Sequence, residues 1–291
     1  MKERFVLVTG ATGVQGGAVA RELLKIGHRV RALTRRPDSA ASQELKKMGA
    51  EVIAGDFNDP ESLVQAIRGV DTVFAMATPY EEGVDAEERH GKALAEAALK
   101  AGVPHFVYSS VANADQNTKI PHFDSKQAIE EHIKELNIPW TIEAPVFFME
   151  NLMRPWITND LKRGVLRLPL PPERKLKLIS VQDIGRFTAM VIEQRELFLG
   201  RRIDIAADDL NGTEMADIMS KAIGRKIRYE QQPLEEIRSQ SSDWVIMYKW
   251  FDETGYSADL EGLQWEFPEV GWTSFEKWAK AQDWTGMKHA A

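Results

Sequence analysis

The stretch Val8-Thr9-Gly10-Ala11-Thr12-Gly13-Val14-Gln15-Gly16-Gly17 decides how this chain is read. It follows the β-rich run Phe5 to Thr9 and leads into a helical stretch from Val14 to Ile26. Glycines between a strand and a helix are the setting in which a dinucleotide-binding turn works. Gly10 permits the tight turn, Gly13 lets backbone approach a pyrophosphate, and Gly16 or Gly17 lets the helix pack closely on the sheet. The helix start, around Thr12, Gly13, Val14 and Gln15, offers unpaired N–H groups to an anion. The spacing is G-x-x-G-x-x-G rather than G-x-G-x-x-G, and a ligand-free turn is the plainer alternative. The position in the first βα turn of a regular alternation favours the ligand.

Outward from that turn, short apolar runs alternate with amphipathic stretches. Strands are expected at Arg29 to Leu33, Glu51 to Ala54, Thr72 to Ala77, His105 to Ser109 and Trp140 to Val146. Helices are expected after Pro37, after Asp59-Pro60, over Ala86 to Lys100 and over Phe123 to Leu136. This rhythm predicts an α/β fold, a Rossmann-type doubly wound parallel sheet, with ligands at the C-terminal edge of the strands. After Asn151 the rhythm breaks: Pro155, Pro169, Pro171 and Pro172 crowd together and tryptophans become frequent. Helices are expected over Val181 to Arg195 and Thr213 to Ile223, with a strand at Arg202 to Ala206. The expected division is a dinucleotide-binding domain over 1–150 and a smaller mixed α/β lobe over 151–291, with chain crossing between them allowed. The end past Trp284 is expected to fray.

The second strand ends in Thr34-Arg35-Arg36. A site selective for NAD carries an acid here, about 20 residues past the glycines. Guanidinium pairs bidentately with phosphate, so Arg35 and Arg36 point to the 2′-phosphate of NADP(H); a solvated surface pair is the alternative. Asp56 and Phe57 follow the third strand, where an adenine would lie, although Asp56 equally suits a turn cap. Ala77 and Thr78, at the end of the fourth strand, are expected beneath the cofactor.

Ser109 ends the fifth strand, and Pro121-His122-Phe123-Asp124-Ser125-Lys126 leads into a helix. His122 and Lys126, four apart, share a helix face. Lys126 can bind ribose hydroxyls and lower the pKa of a neighbouring acid, and Ser109 can bond a substrate carbonyl. These three are the catalytic candidates. Caps and a solvated lysine are the plainer readings of the same residues. His28, His90, His105, His132 and His289 form no metal spacing, so no metal site is expected.

The 291 residues carry a net charge of −7 and no basic run, which argues against direct nucleic-acid binding. The chain has no cysteine, so disulfides and thiol chemistry are excluded. No apolar stretch approaches the ~18 residues of a membrane span, and no signal-peptide core is seen. The expected compartment is the cytoplasm.

Several ordered motifs together carry a resemblance to a known family. They are VTGATGVQGG (8–17), VRALTRRP (30–37), AGDFND (54–59), YSS (108–110), HFDSKQAIEEHIKELNIPWT (122–141) and APVFFMENL (144–152). Over residues 5 to 155, and more loosely beyond, the chain resembles the NmrA-like family, most closely its HSCARG-type members. The resemblance implies an atypical short-chain dehydrogenase/reductase fold that binds NADP(H), with preference set at Arg35. Some members carry a second basic residue a few positions later; Asp38 and Ser39 occupy that stretch here, and Arg36 is the substitute.

Catalytic members of the wider superfamily use a Tyr-x-x-x-Lys pair; here His122 stands at the Tyr position and Lys126 is kept. Several NmrA-like proteins look like regulators that sense NADPH/NADP⁺ balance. Relatives resembling quinone and isoflavone reductases turn over substrates and lean on the lysine. The resemblance therefore implies a redox-state sensor acting on a protein partner, with an NADPH-dependent reductase of quinones or small carbonyl compounds as the alternative. A sugar-nucleotide epimerase relative using NAD is the third reading, opposed by the two arginines and the absent Tyr.

Overall fold

In the computed structural model, which describes residues 2–287, the chain alternates strand and helix up to Pro145. The order is β1 (Phe5–Val8), α1 (Val14–Lys25), β2 (Arg29–Thr34), α2 (Ala40–Lys47), β3 (Glu51–Ala54) and α3 (Pro60–Ile67). It continues with β4 (Thr72–Ala75), α4 (Val84–Ala101), β5 (His105–Ser109), α5 (Pro121–Glu135) and β6 (Trp140–Pro145). Local chemistry sets the boundaries. Ser39 caps α2 by accepting from Ser42 N, and Asp59 caps α3 ahead of Pro60, whose missing N–H costs nothing there. Two starts lie earlier than expected: α4 begins at Val84 and α5 at Pro121, so His122 lies inside its helix.

Beyond β6 come β7 (Phe147–Phe148), α6 (Pro155–Leu161), β8 (Val165–Leu168) and β9 (Lys175–Ile179). Then follow α7 (Val181–Glu193), α8 (Arg195–Phe198), β10 (Arg202–Ile205), β11 (Asp208–Asn211), α9 (Gly212–Ile223) and β12 (Arg228–Gln231). The last helices are α10 (Leu234–Arg238), α11 (Ser242–Glu253), α12 (Leu260–Glu266) and α13 (Phe275–Ala281).

The principal sheet has seven strands in the order β10-β6-β5-β4-β1-β2-β3. The pairs from β3 through β6 are parallel, with Val8 beside both Ala32 and Phe74. All residues of β4 and β5 are buried, as strands covered on both faces require. The winding runs outward from β1 to β2 on one side and from β1 to β4 on the other. That makes the β1/β4 edge the topological switch point, where ligands of such sheets bind.

The chain divides into two compact units, and the division is not a single cut after residue 150. The first takes the residues up to Asn117, Pro121–Ala144 and Val181–Asp204. Thus α7 and most of β10, expected in the later lobe, belong with the sheet. Buried Ile184, Phe187 and Val191 make α7 a core helix of this unit, and the Thr188 hydroxyl reaches Glu143 of β6. The second unit comprises Thr118–Ile120, Pro145–Ser180 and the chain from Ile205. It holds a three-stranded sheet, β11-β9-β7, and a parallel pair, β12-β8. A capping box between Asn211 and Glu214 starts α9. Phe275 stacks on Trp278 at 5.3 Å, and Trp278 Nε1 donates to Glu150 at 2.9 Å. Thr285–Met287 form a 3₁₀ turn; the residues after Met287 lie outside the described ones. Among the described residues no helix is long and apolar enough to cross a membrane.

Candidate functional site

The glycine turn sits at the switch point and is tied to β4. Thr9 Oγ1 accepts from Met76 N at 2.8 Å, and Thr9 N donates to Phe74 O at 3.0 Å. Gly10 has φ +61, and a side chain there would strike the Met76 sulfur. A Cβ at Gly16 would lie 2.5 Å from the carbonyl oxygens of both Thr9 and Gly10. The turn closes through Gly13 N to Gly10 O at 2.8 Å. Helix α1 then starts with no side-chain cap and no acid in its first turn. Thr12, Gly13 and Val14 are exposed there, at a helix start whose first-turn N–H groups have no side-chain cap. Gln15 is buried, and its Nε2 donates to Ser109 Oγ at 2.5 Å.

At the end of β2, Arg35 and Arg36 behave differently. The Arg35 guanidinium is half-exposed and pairs with Glu81 and with Glu82, the latter at 3.4 Å. The Arg36 backbone knits the following turn, its carbonyl accepting from Ser42 Oγ at 2.9 Å, while the residue is exposed. Asp56 Oδ1 accepts from Asn58 N at 2.9 Å, the turn-capping geometry weighed from the sequence. Phe57 packs on the His90 ring, centroids 5.4 Å apart.

Helix α5 presents His122 and Lys126. His122 is buried, its ring edge-on to Phe123 at 4.9 Å. Lys126 Nζ donates to Ala77 O at 3.3 Å and lies 2.8 Å from Glu87 Oε1. Glu87, on α4, is wholly buried and also accepts from Ser125 Oγ at 2.6 Å. Lys126 therefore reaches the end of β4 with its charge balanced by a carboxylate from the neighbouring helix. An ammonium has three N–H groups, so two such partners leave one for a ligand. Tyr108, 5.9 Å from that ammonium, is fully buried, and burial together with the charges of Glu87 and Glu130 pushes its hydroxyl well above the usual phenol range.

Below these residues, Ser110 Oγ donates to buried Glu130 at 2.5 Å, and Arg202 Nε reaches the same carboxylate at 2.8 Å. The Ser110 hydrogen bond ties α5 to the end of β5, and the ion pair ties it to β10. Glu130 is thus a structural anchor, and no group of three or more metal-binding side chains is found among the described residues.

The structure brings Lys126 to Ala77 and Gln15 to Ser109, so Ser109 and Lys126 are held by different partners. Glu81, Glu82 and Glu87 were not singled out from the sequence. They are three acids in a helix-forming, acid-rich stretch, and nothing local marks which of them meets a cation.

The sequence pattern of the NmrA-like family matches residues 2–284. The chain belongs to the NmrA-like family. An NmrA-like family domain-containing protein of Dictyostelium discoideum is 29% identical over 94% of this chain and 96% of its own length. An NAD(P)H azoreductase of Xenophilus azovorans is 31% identical over 80% of this chain and 79% of its own. Among solved structures, that of NmrA, a negative transcriptional regulator, in complex with NADP superposes with a TM-score of 0.81. It covers 99% of this chain and 98% of that one at 19% identity, a likeness of fold.

Proposed function

We propose that this NmrA-like chain binds NADP(H) and acts as a cytoplasmic sensor of nicotinamide redox state that changes a contact with a protein partner. The observation that carries the binding is the uncapped start of α1 over a turn whose glycines leave no room for side chains. That cradle fits a pyrophosphate, held by the first-turn N–H groups of Val14 and Gln15 with the backbone of Thr12 and Gly13 beside it. Arg35, with Arg36 beside it, would take the 2′-phosphate, Lys126 the ribose hydroxyls, and Ala77 and Thr78 would line the floor. Asp56 and Phe57 would flank the adenine.

Sensing is favoured over turnover by the site's electrostatics. The residue at the acid position is His122, and Glu87 balances the charge with which Lys126 would activate an acid. When bound, the cofactor supplies hydride chemistry; the residues here supply binding and orientation. The test is titration of purified protein with NADPH and with NADP⁺, with oligomeric state and protease sensitivity followed in parallel. A sensor must distinguish the two forms in affinity, because a ligand shifts an equilibrium only by its differential binding. Equal affinities with no structural response would overturn the sensing role.

A second reading, NADPH-dependent reductase of small molecules, is favoured by the azoreductase relative and the retained Lys126. Oxidation of NADPH against quinones, aldehydes and azo compounds tests it, with Ser109→Ala and His122→Ala locating the acid.

A further inference from the structure

Arg35 is engaged by two carboxylates of its own chain. Its Nη2 donates to Glu81 Oε2, and its Nη1 lies 3.4 Å from Glu82 Oε1. The two terminal nitrogens of the guanidinium, the fork that grips a phosphate, are thus occupied by consecutive carboxylates. Together these carry two negative charges, close to the roughly −1.5 to −2 of a phosphate monoester at neutral pH. Both acids lie between β4 and α4, in a turn closed by Gly83 N to Pro79 O at 2.9 Å. Glu82 is also within 4.0 Å of His90 Nε2, and His90 bonds Asn58 at 3.2 Å. The acids therefore tie the 79–83 turn to the end of β2 and to the turn after β3.

We propose that Glu81 and Glu82 set the discrimination between NADP(H) and NAD(H) by competing with the 2′-phosphate for Arg35. The inference rests on the reading that Arg35 is the phosphate ligand. NADP(H) then binds only by displacing the carboxylates, whereas NAD(H), with a hydroxyl in place of the phosphate, leaves them paired. Preference for NADP(H) is held below what Arg35 alone would confer, and the 79–83 turn is released only by the phosphorylated cofactor. Because all three side chains are about half exposed, the competition is modest and weakens with salt.

The experiment compares wild type, Glu82→Gln, Glu81→Gln/Glu82→Gln and Arg35→Ala, each titrated with NADPH and NADH at low and physiological salt. In the double variant NADPH should bind about 3- to 10-fold more tightly. NADH should change by less than about 2-fold, and the single variant should fall between. NADPH, but not NADH, should expose the 79–83 turn of wild type to protease. Unchanged affinities, or equal changes for both dinucleotides, would overturn the competition. Arg35→Ala separates the two claims. If it abolishes NADPH preference while the glutamine variants leave it untouched, only the competition falls. If it keeps full preference, or wild type binds no NADPH, the reading of Arg35 falls as well.

Discussion

The ammonium of Lys126 lies 2.8 Å from a carboxylate oxygen of Glu87, and Glu87 has no exposed surface. Removing one partner of such a pair leaves an uncompensated buried charge, at a cost of about 3–5 kcal/mol. Lys126→Ala should therefore destabilise the fold as well as weaken dinucleotide binding. Glu87→Gln combined with Lys126→Ala should recover part of the stability but none of the binding. Denaturant unfolding of both singles and the double checks this; strict additivity would mean that the pair is not coupled.

Glu143 is buried on β6, and burial pushes its carboxyl up to about 8, against a smaller opposing effect of the Thr188 hydroxyl. Between its ordinary 4.5 and about 8, the folded chain keeps a proton that the unfolded chain has lost. Stability should therefore fall as pH rises across that window and level off above it. Glu143→Gln, which imitates the protonated form, should flatten this limb and raise Tm at pH 8 and above. Parallel Tm–pH curves for the two proteins would refute the assignment.

His105 sets an acid limb of opposite sign. The Thr141 hydroxyl donates to Phe198 O at 2.9 Å, so at 2.9 Å from His105 Nε2 it accepts, fixing the Nε2–H tautomer. Burial, then the charges of Arg195 and Arg4, lower this imidazole to about 3. The unfolded ring binds its proton from about 6.5, so stability should be lost as pH falls from there toward 3. In NMR spectra the His105 ring should not titrate above pH 4. A midpoint near 6.5 would show that the ring is not held neutral.

Gly16→Ala tests the turn. The new methyl would sit 2.5 Å from two carbonyl oxygens, and backbone cannot yield as a flexible side chain can. Overpacking of this kind costs about 1–3 kcal/mol and shifts the helix start. Both Tm and NADPH affinity should drop. A variant with wild-type affinity would place the pyrophosphate elsewhere.

The sequence by itself determined the Rossmann-type architecture and the location of the turn. Strand and helix periods, the Asp59-Pro60 helix start and the glycine triplet act within a few residues of chain, where local sterics set the backbone. The motif series at 8–17, 122–141 and 144–152 likewise carries the family. What only the tertiary structure decided is partnership between distant residues. The apolar face of α7 reads the same whichever core it joins, and only packing puts it in the first unit after the chain has left that unit at Pro145. Lys126 was legible as a candidate, but not the buried Glu87 that balances it 39 positions earlier. Arg35 was legible as a candidate phosphate ligand, but not its pairing with Glu81 and Glu82, 46 and 47 residues away. Electrostatic pairing depends on distance in space and on burial, and neither is written in the spacing of a single chain.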